Sequence, residues 1–222
     1  MCSVTLFKQA NGYRVFMNRD ESFDREEETP PQLLNSEHGI ICPIDPLSGG
    51  TWIAHNKAGY WGCILNGYAE AEGTSSNAIK SRGLILPELL TQQNPLAAAI
   101  KYNASPYASF SLLIGSTKEH ILFSWDGKRF NEREFHAAKN DMFFFTSSSW
   151  NQPEVIDTRI AVFQKWTESP TYTDKAIPTL HYNEKPASES AIMMRRSYSR
   201  TTSITSIDVT TEACSMAHHR IG

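Results

Sequence analysis

The second residue of the chain is a cysteine, preceded only by Met1. Methionine ahead of a small residue is normally trimmed, so the mature chain is expected to begin at Cys2, with a thiol and a free α-amine on one residue. An α-amine titrates near about 7.7–8.0 and a thiol near about 8.5. The amine is therefore a general base poised near neutral pH and tethered to its own nucleophile, as in enzymes with an N-terminal threonine. Position alone does not separate this from a cysteine that merely starts a strand. Cys42, Cys63 and Cys214 are widely spaced, form no CxxC or metal-ligand pattern, and read as small buried apolar residues.

Other clusters carry suitable chemistry. Asn18-Arg19-Asp20-Glu21 closes a run of β-forming residues. A cation beside a thiol favours the thiolate, and a carboxylate can hold or orient an ammonium group. Gly49-Gly50-Thr51-Trp52 opens another run, where paired glycines allow close backbone approach. Leu65-Asn66 ends a strand, and an asparagine there can offer an N–H to a developing oxyanion. Near the C-terminus, Arg200 within Ser199-Arg200-Thr201-Thr202-Ser203 can bind a carboxylate or pair with an acid.

The elements that must position these residues follow from patterning. Ser3–Lys8 and Tyr13–Met17 predict a hairpin about Asn11-Gly12. The acidic, proline-containing stretch 20–38 reads as a solvated loop. Gly50–His55 and Tyr60–Leu65 predict strands around Asn56-Lys57-Ala58-Gly59. Ser81-Arg82-Gly83 opens a helix through Leu90, and Asn94-Pro95 caps a second ending near Tyr102. Strands are expected at Ser109–Ile114, His120–Trp125, Lys128–Phe135 and Met142–Thr146. A helix follows at Pro153–Glu168, with its apolar spacing at Val155, Ile156, Ile160 and Phe163. The tail predicts strands at Ser190–Arg196, Thr202–Val209 and Glu212–Ile221. Runs of hairpin-linked strands with segregated helices indicate an α+β fold of two antiparallel sheets covered by helices, one domain over residues 1–222.

Composition excludes several classes. The net charge of −3 and scattered Lys and Arg leave no basic run for nucleic acid. No apolar run approaches the length of a membrane span, and the first residues lack the basic and apolar regions of a signal peptide, so a cytoplasmic protein is expected. No motif calls for a metal, nucleotide or flavin cofactor.

Together the motifs resemble the NRDE family of transport and Golgi organisation proteins. The resemblance rests on Met1-Cys2, Asn18-Arg19-Asp20-Glu21, Gly49-Gly50-Thr51-Trp52, Leu65-Asn66, Ser81-Arg82-Gly83-Leu84, Thr146-Ser147-Ser148-Ser149 and Arg200-Thr201, in order over nearly the whole chain. It implies a four-layer αββα fold of the N-terminal-nucleophile (Ntn) hydrolase type. More faintly it extends to bile-salt hydrolases and penicillin V acylases. Carried across, it implies Cys2 as nucleophile, Arg19 and Asp20 as its partners in either order, and Asn66 as an oxyanion donor. Asn18, Trp52, Ser148, Asn151 and Arg200 would face the substrate, with Arg196 as second choice for the C-terminal arginine. The acylases carry a second oxyanion asparagine where this chain has Ser148 or a neighbour, with Asn151 reaching it only if the loop folds back. Losing one such donor costs about 2.7–4 kcal/mol in barrier. The expected activity is hydrolysis of a linear amide of a small molecule through a thioester. The alternative is non-catalytic carriage of haem or lipid, for which His55, His120, His136 and His181 are the available histidines.

Overall fold

The computed structural model describes residues 2–68, 79–133, 136–138, 141–149, 152–168 and 177–222. Its strands are β1 (Cys2–Gln9), β2 (Gly12–Ser22), β3 (Thr29–Asn35), β4 (Ile40–Ile44), β5 (Ile53–His55), β6 (Trp61–Asn66), β7 (Phe110–Gly115), β8 (His120–Trp125), β9 (Phe130–Arg133), β10 (His136–Ala138), β11 (Met142–Ser147), β12 (Ser199–Thr210) and β13 (Cys214–Arg220). The α-helices are α1 (Ile85–Leu90), α2 (Pro95–Ile100) and α3 (Gln152–Thr167), with 3-10 turns at Arg82–Leu84 and Thr179–Tyr182.

Among the described residues the strands form two antiparallel sheets. One runs β10-β11-β1-β2-β12-β13 and the other β3-β4-β5-β6-β7-β8-β9. Period-two alternation divides the first sheet. Val4, Leu6, Tyr13, Val15 and Met17 face the second sheet and join its Ile53, Trp61, Cys63 and Leu113 in one core. Phe7, Phe16 and Phe144 face the other way and pack with Phe163 of α3. Helices α1 and α2 contact β5, β6 and β7, covering the second sheet. The layers are therefore helix, sheet, sheet, helix, the expected α+β arrangement.

The first hairpin forms in register from Cys2 opposite Arg19 to Gln9 opposite Gly12. Gly12 is required by a close approach: a Cβ there would sit 1.8 Å from the carbonyl oxygen of Val209 on β12. Asn94 caps α2 through its side-chain oxygen, which accepts from the Ala97 N–H at 3.0 Å. Pro87 falls in the first turn of α1, where a missing N–H is tolerated.

Two expectations need correction, and one strand is added. The stretch 20–38 is not all loop, because Thr29–Asn35 forms β3. Its Pro30 and Pro31 are accommodated because β3 is an edge strand. Strand β4, which follows it, was not expected. Residues 190–196 make no strand, only a bridge between Arg195 and Arg200. This segment instead turns back on the start of β12, where the Met194 N–H donates to the Thr201 hydroxyl at 2.9 Å and the Thr201 N–H to the Met194 carbonyl at 2.8 Å. No helix among the described residues is long and apolar enough to cross a membrane.

Candidate functional site

Cys2 is the first residue of β1, a central strand, and is paired across to Arg19 of β2 and Ser147 of β11. Its side chain faces the second sheet and reaches a cavity of about 280 Å³ that also exposes Arg19, Asp20, Trp52 and Asn66. Residues from three separate segments thus meet at the thiol. The second sheet supplies Asn66 as the last residue of β6.

The two glycine motifs build one wall together. The Thr51 N–H donates to the Gly83 carbonyl at 2.9 Å. A Cβ on Gly50 would lie 2.7 Å from the Gly83 carbonyl carbon, and one on Gly83 would lie 2.9 Å from the Thr51 nitrogen. Close backbone contact, rather than turn geometry alone, is why both positions are glycine.

Arg19 is the hub of an ion-pair network. Its guanidinium lies over the Trp52 ring, 4.3 Å from the centroid. It donates to Glu28 at 2.9 Å, Asp45 at 2.9 Å and Glu21 at 3.1 Å. Arg25 adds a bond from Nε to Asp45 at 3.0 Å. Burial alone would push the Asp45 carboxyl up, but Arg25, the Ser48 N–H and Arg19 outweigh it and hold the group below its ordinary value. Glu28 and Asp45 were missed from sequence. Glu28 lay in a charge run read as solvated, and Asp45 ends an apolar run just ahead of Gly49-Gly50, the one available signal.

Asp20 points to the opposite side of its sheet, toward α3. The Thr201 hydroxyl donates to Asp20 Oδ1 at 2.7 Å, and Arg159 Nη2 stands 3.4 Å from Oδ2. Burial raises the carboxyl pKa, and Arg159 and Thr201 only partly reverse this. Arg159 is fully buried and also donates to Thr146 Oγ1 at 2.9 Å, to Ser3 Oγ at 3.2 Å and to the Ser147 carbonyl at 3.3 Å. Thr146 in turn donates to the Cys2 carbonyl at 3.1 Å. One buried guanidinium therefore ties Asp20 to both flanks of Cys2. It too was missed, although it sits on the buried face of α3, four residues from both Val155 and Phe163.

Burial pushes the Cys2 thiol above its ordinary value. A hydrogen bond from the Asp20 main-chain N–H and the charge of Arg19 pull it down, while the Asp20 carboxylate raises it. A thiol so placed needs a proton acceptor close by to react near neutral pH.

The remaining expected site residues separate. Asn18 is buried on the α3 face, where Nδ2 donates to the carbonyls of His181 at 2.9 Å and Ile192 at 3.2 Å and Oδ1 meets His181 Nδ1. It braces that layer and does not line the Cys2 cavity. Ser148 is buried just beyond Ser147 and accepts from Arg196 Nη2 at 3.4 Å. Arg200 lines a second cavity of about 390 Å³, with its guanidinium 5.8 Å from the Phe23 ring. Neither Arg196 nor Arg200 lines the Cys2 cavity. Asn151 and the side chain of His136 lie outside the described residues. His55 and His181 are buried far apart in sequence and fold, and His120 packs edge-on against Tyr13 and Phe143. His181 bonds Thr5 at 2.6 Å, and burial drives its pKa down to about 3. Among the described residues no group of three or more His, Cys, Asp or Glu side chains is placed to hold a metal ion.

The family model of Transport and Golgi organisation 2 matches residues 1–215. The chain belongs to the Transport and Golgi organisation 2 family. No curated protein matches it in sequence. Among solved structures it is similar to a Caenorhabditis elegans N-acylethanolamine-hydrolyzing acid amidase ortholog, with TM-score 0.58 and 12% identity over 98% of this chain and 100% of that one. It is also similar to the mutant C2A conjugated bile acid hydrolase from Clostridium perfringens, with TM-score 0.56 and 9% identity over 100% of this chain and 92% of that one. At these identities the likeness establishes the fold, that of the Ntn hydrolases. In this family member the fold brings Cys2 to a charged cavity between the two sheets.

Proposed function

We propose that the protein is an N-terminal-cysteine amidohydrolase that cleaves a linear, non-peptide amide of a small molecule. The observation that carries this reading is the convergence of Cys2, Arg19 and Asn66 on one cavity from three separate segments, with Asp20 at its edge and its carboxylate held on the α3 side. The neighbouring hydrolases of the same fold support it.

Removal of Met1 would free the α-amine of Cys2, which takes the thiol proton. The thiolate attacks the amide carbonyl and a C–S bond forms. The oxyanion is held by Asn66 and a neighbouring main-chain N–H. The Asp20 carboxylate, fixed by Arg159 and Thr201, orients the ammonium group, and Arg19 stabilises negative charge on sulfur. The tetrahedral intermediate collapses, the C–N bond breaks and the leaving amine takes the ammonium proton. Water, deprotonated by the same α-amine, then attacks the thioester. The C–S bond breaks, the acid departs and the thiol regains its proton.

Carriage of haem or lipid matches the site less well. The cavity is small and lined mainly by charged and polar groups, and none of the described histidines lines it. The test is amine release from a panel of linear acyl amides. Asn66→Ala should slow turnover by about 10²–10³-fold with little change in KM, because it removes a donor used in the transition state. A panel with no hydrolysed member, or an Asn66→Ala enzyme as fast as the wild type, would remove this reading.

A further inference from the structure

Ser147 is 8% exposed, and its hydroxyl has no hydrogen-bond partner among the described residues. A buried hydroxyl left unpaired costs stability, and alanine would avoid that cost. The place of Ser147 in β11 supplies a reason for the hydroxyl.

Ser147 stands directly opposite Cys2. Opposite residues of an antiparallel pair share one face of the sheet. The next pairs follow this rule: Val4 and Phe145 both enter the inter-sheet core, and Ser3 and Thr146 meet on the α3 side through hydroxyls 2.9 Å apart. The Ser147 hydroxyl is therefore on the face of the thiol, with the two Cβ atoms about 4.5–5.5 Å apart. A rotation about χ1 brings oxygen and sulfur within hydrogen-bond reach. Ser148, the residue expected from sequence, bonds Arg196 instead.

The backbone of Ser147 serves the other half of the nucleophile. The Lys8 N–H donates to the Asp141 carbonyl at 3.1 Å, and Lys8 continues the register in which Phe7 is opposite Met142. Lys8 and Asp141 are thus a hydrogen-bonded pair. Such pairs alternate along an antiparallel ladder. Cys2 and Ser147 lie an even number of residues further on and form a pair of the same kind. The Cys2 nitrogen, which is the α-amine once Met1 is gone, faces the Ser147 carbonyl.

The thiol and α-amine of one cysteine are poorly placed to exchange a proton directly. The ring through N, Cα, Cβ, S and H has five members, so the S–H···N angle falls below the about 120° at which hydrogen bonds weaken steeply. We propose that Ser147 positions the nucleophile and carries its proton: the Ser147 carbonyl holds the α-amine, and the Ser147 hydroxyl passes the thiol proton to it. The Cys2 S–H gives its proton to Ser147 Oγ as the Oγ–H proton moves to the amine nitrogen. An S–H and an O–H bond break, an O–H and an N–H bond form, and the serine ends unchanged beside a thiolate and an ammonium group. This deepens the hydrolase reading and rests on it for turnover, but thiol ionisation is measured by alkylation without any substrate.

The test uses protein freed of Met1, by methionine aminopeptidase where needed, and follows iodoacetamide alkylation of Cys2 against pH by peptide mapping. Ser147→Ala should lower the rate near neutral pH by about tenfold or more, the scale of one hydrogen bond to a charged group, and move the midpoint of the profile upward. Arg19 and Asp20 on β2, Arg159 on α3 and Cys63 on β6 also act on the thiol. They are the same in both proteins, so the difference reports the hydroxyl. The thermal melt should not fall, because the group removed is unpaired. A serine that only fills space predicts the opposite pattern, a lower melt and an unchanged profile. Ser147→Thr keeps a hydroxyl and should alkylate faster than Ser147→Val, which has the same shape without one; both carry the added methyl, so a packing penalty cancels. With a hydrolysable amide, Ser147→Ala should lower kcat by about 10²-fold with KM little changed. An unchanged alkylation profile in Ser147→Ala, or equal rates in Ser147→Thr and Ser147→Val, overturns the proposal and leaves the hydrolase reading standing. A profile that depends on Ser147 in a protein that hydrolyses no amide upholds the relay and counts against the hydrolase reading.

Discussion

Cys2→Ala should abolish amide turnover while leaving the protein folded. In a comparable triad enzyme, removal of the nucleophile lowers kcat by on the order of 10⁶-fold. A loss of that size is expected because, in the proposed mechanism, the α-amine, Arg19 and Asn66 act only through the sulfur or the carbonyl it attacks. The fold should tolerate the change. The substitution removes one atom at the cavity edge, and the β1 pairings to Arg19 and Ser147 are made by backbone. A stability loss of about 1 kcal/mol is the expected scale. Amine release measured beside a thermal melt separates the two effects: the melt stays cooperative while turnover disappears. Turnover that survives in Cys2→Ala would exclude Cys2 as the nucleophile.

Arg159→Met should produce the largest loss of stability, about 3–5 kcal/mol, because it removes one partner of a buried ion pair and leaves the other charged. Asp20 would keep the Thr201 hydroxyl but lose the guanidinium, and Thr146, Ser3 and the Ser147 carbonyl would lose their shared donor. The methionine fills the volume, so the penalty is mainly electrostatic. Its pH dependence has a definite sign. The Asp20 pKa is already raised in the folded protein, so ionised Asp20 costs stability above that pKa, and the cost is relieved as pH falls and the carboxyl is protonated. Without Arg159 the pKa rises further, so the deficit of the variant should shrink on acidification. Urea unfolding of both proteins across the acidic range reads this directly. A deficit below about 1 kcal/mol, the scale of an exposed ion pair, would show that Arg159 does not hold Asp20 as the geometry indicates.

The alternating strands, the Asn11-Gly12 hairpin and the Asn94-Pro95 cap were legible because each rests on local backbone preference. The glycine pairs were legible as demands for space, though not as demands made by each other, because Gly50 and Gly83 meet only in the fold. Strand β3 was hidden by Pro30-Pro31, which an edge position tolerates and a central one would not. Cys2, Arg19, Asp20 and Asn66 could be named because they stand in short motifs, Cys2 and Asn66 at strand ends and Arg19 and Asp20 inside β2, which runs on to Ser22. Arg159 could not, since a charge on an otherwise apolar helix face has no visible partner until α3 packs over Ser3 and Thr146. Glu28 was misread for a related reason: its run is acidic and solvated in sequence, yet Arg19 draws this one carboxylate inside.

The central claim, that Cys2 is a free N-terminal nucleophile forming a thioester, is tested most directly by intact mass spectrometry of the purified protein before and after brief acid-quenched incubation with a hydrolysable amide. The account predicts a starting mass lacking Met1 and then an acyl adduct that maps to Cys2, is released by hydroxylamine and is absent in Cys2→Ala. Turnover by a protein that retains Met1, or an identical adduct on Cys2→Ala, would contradict it.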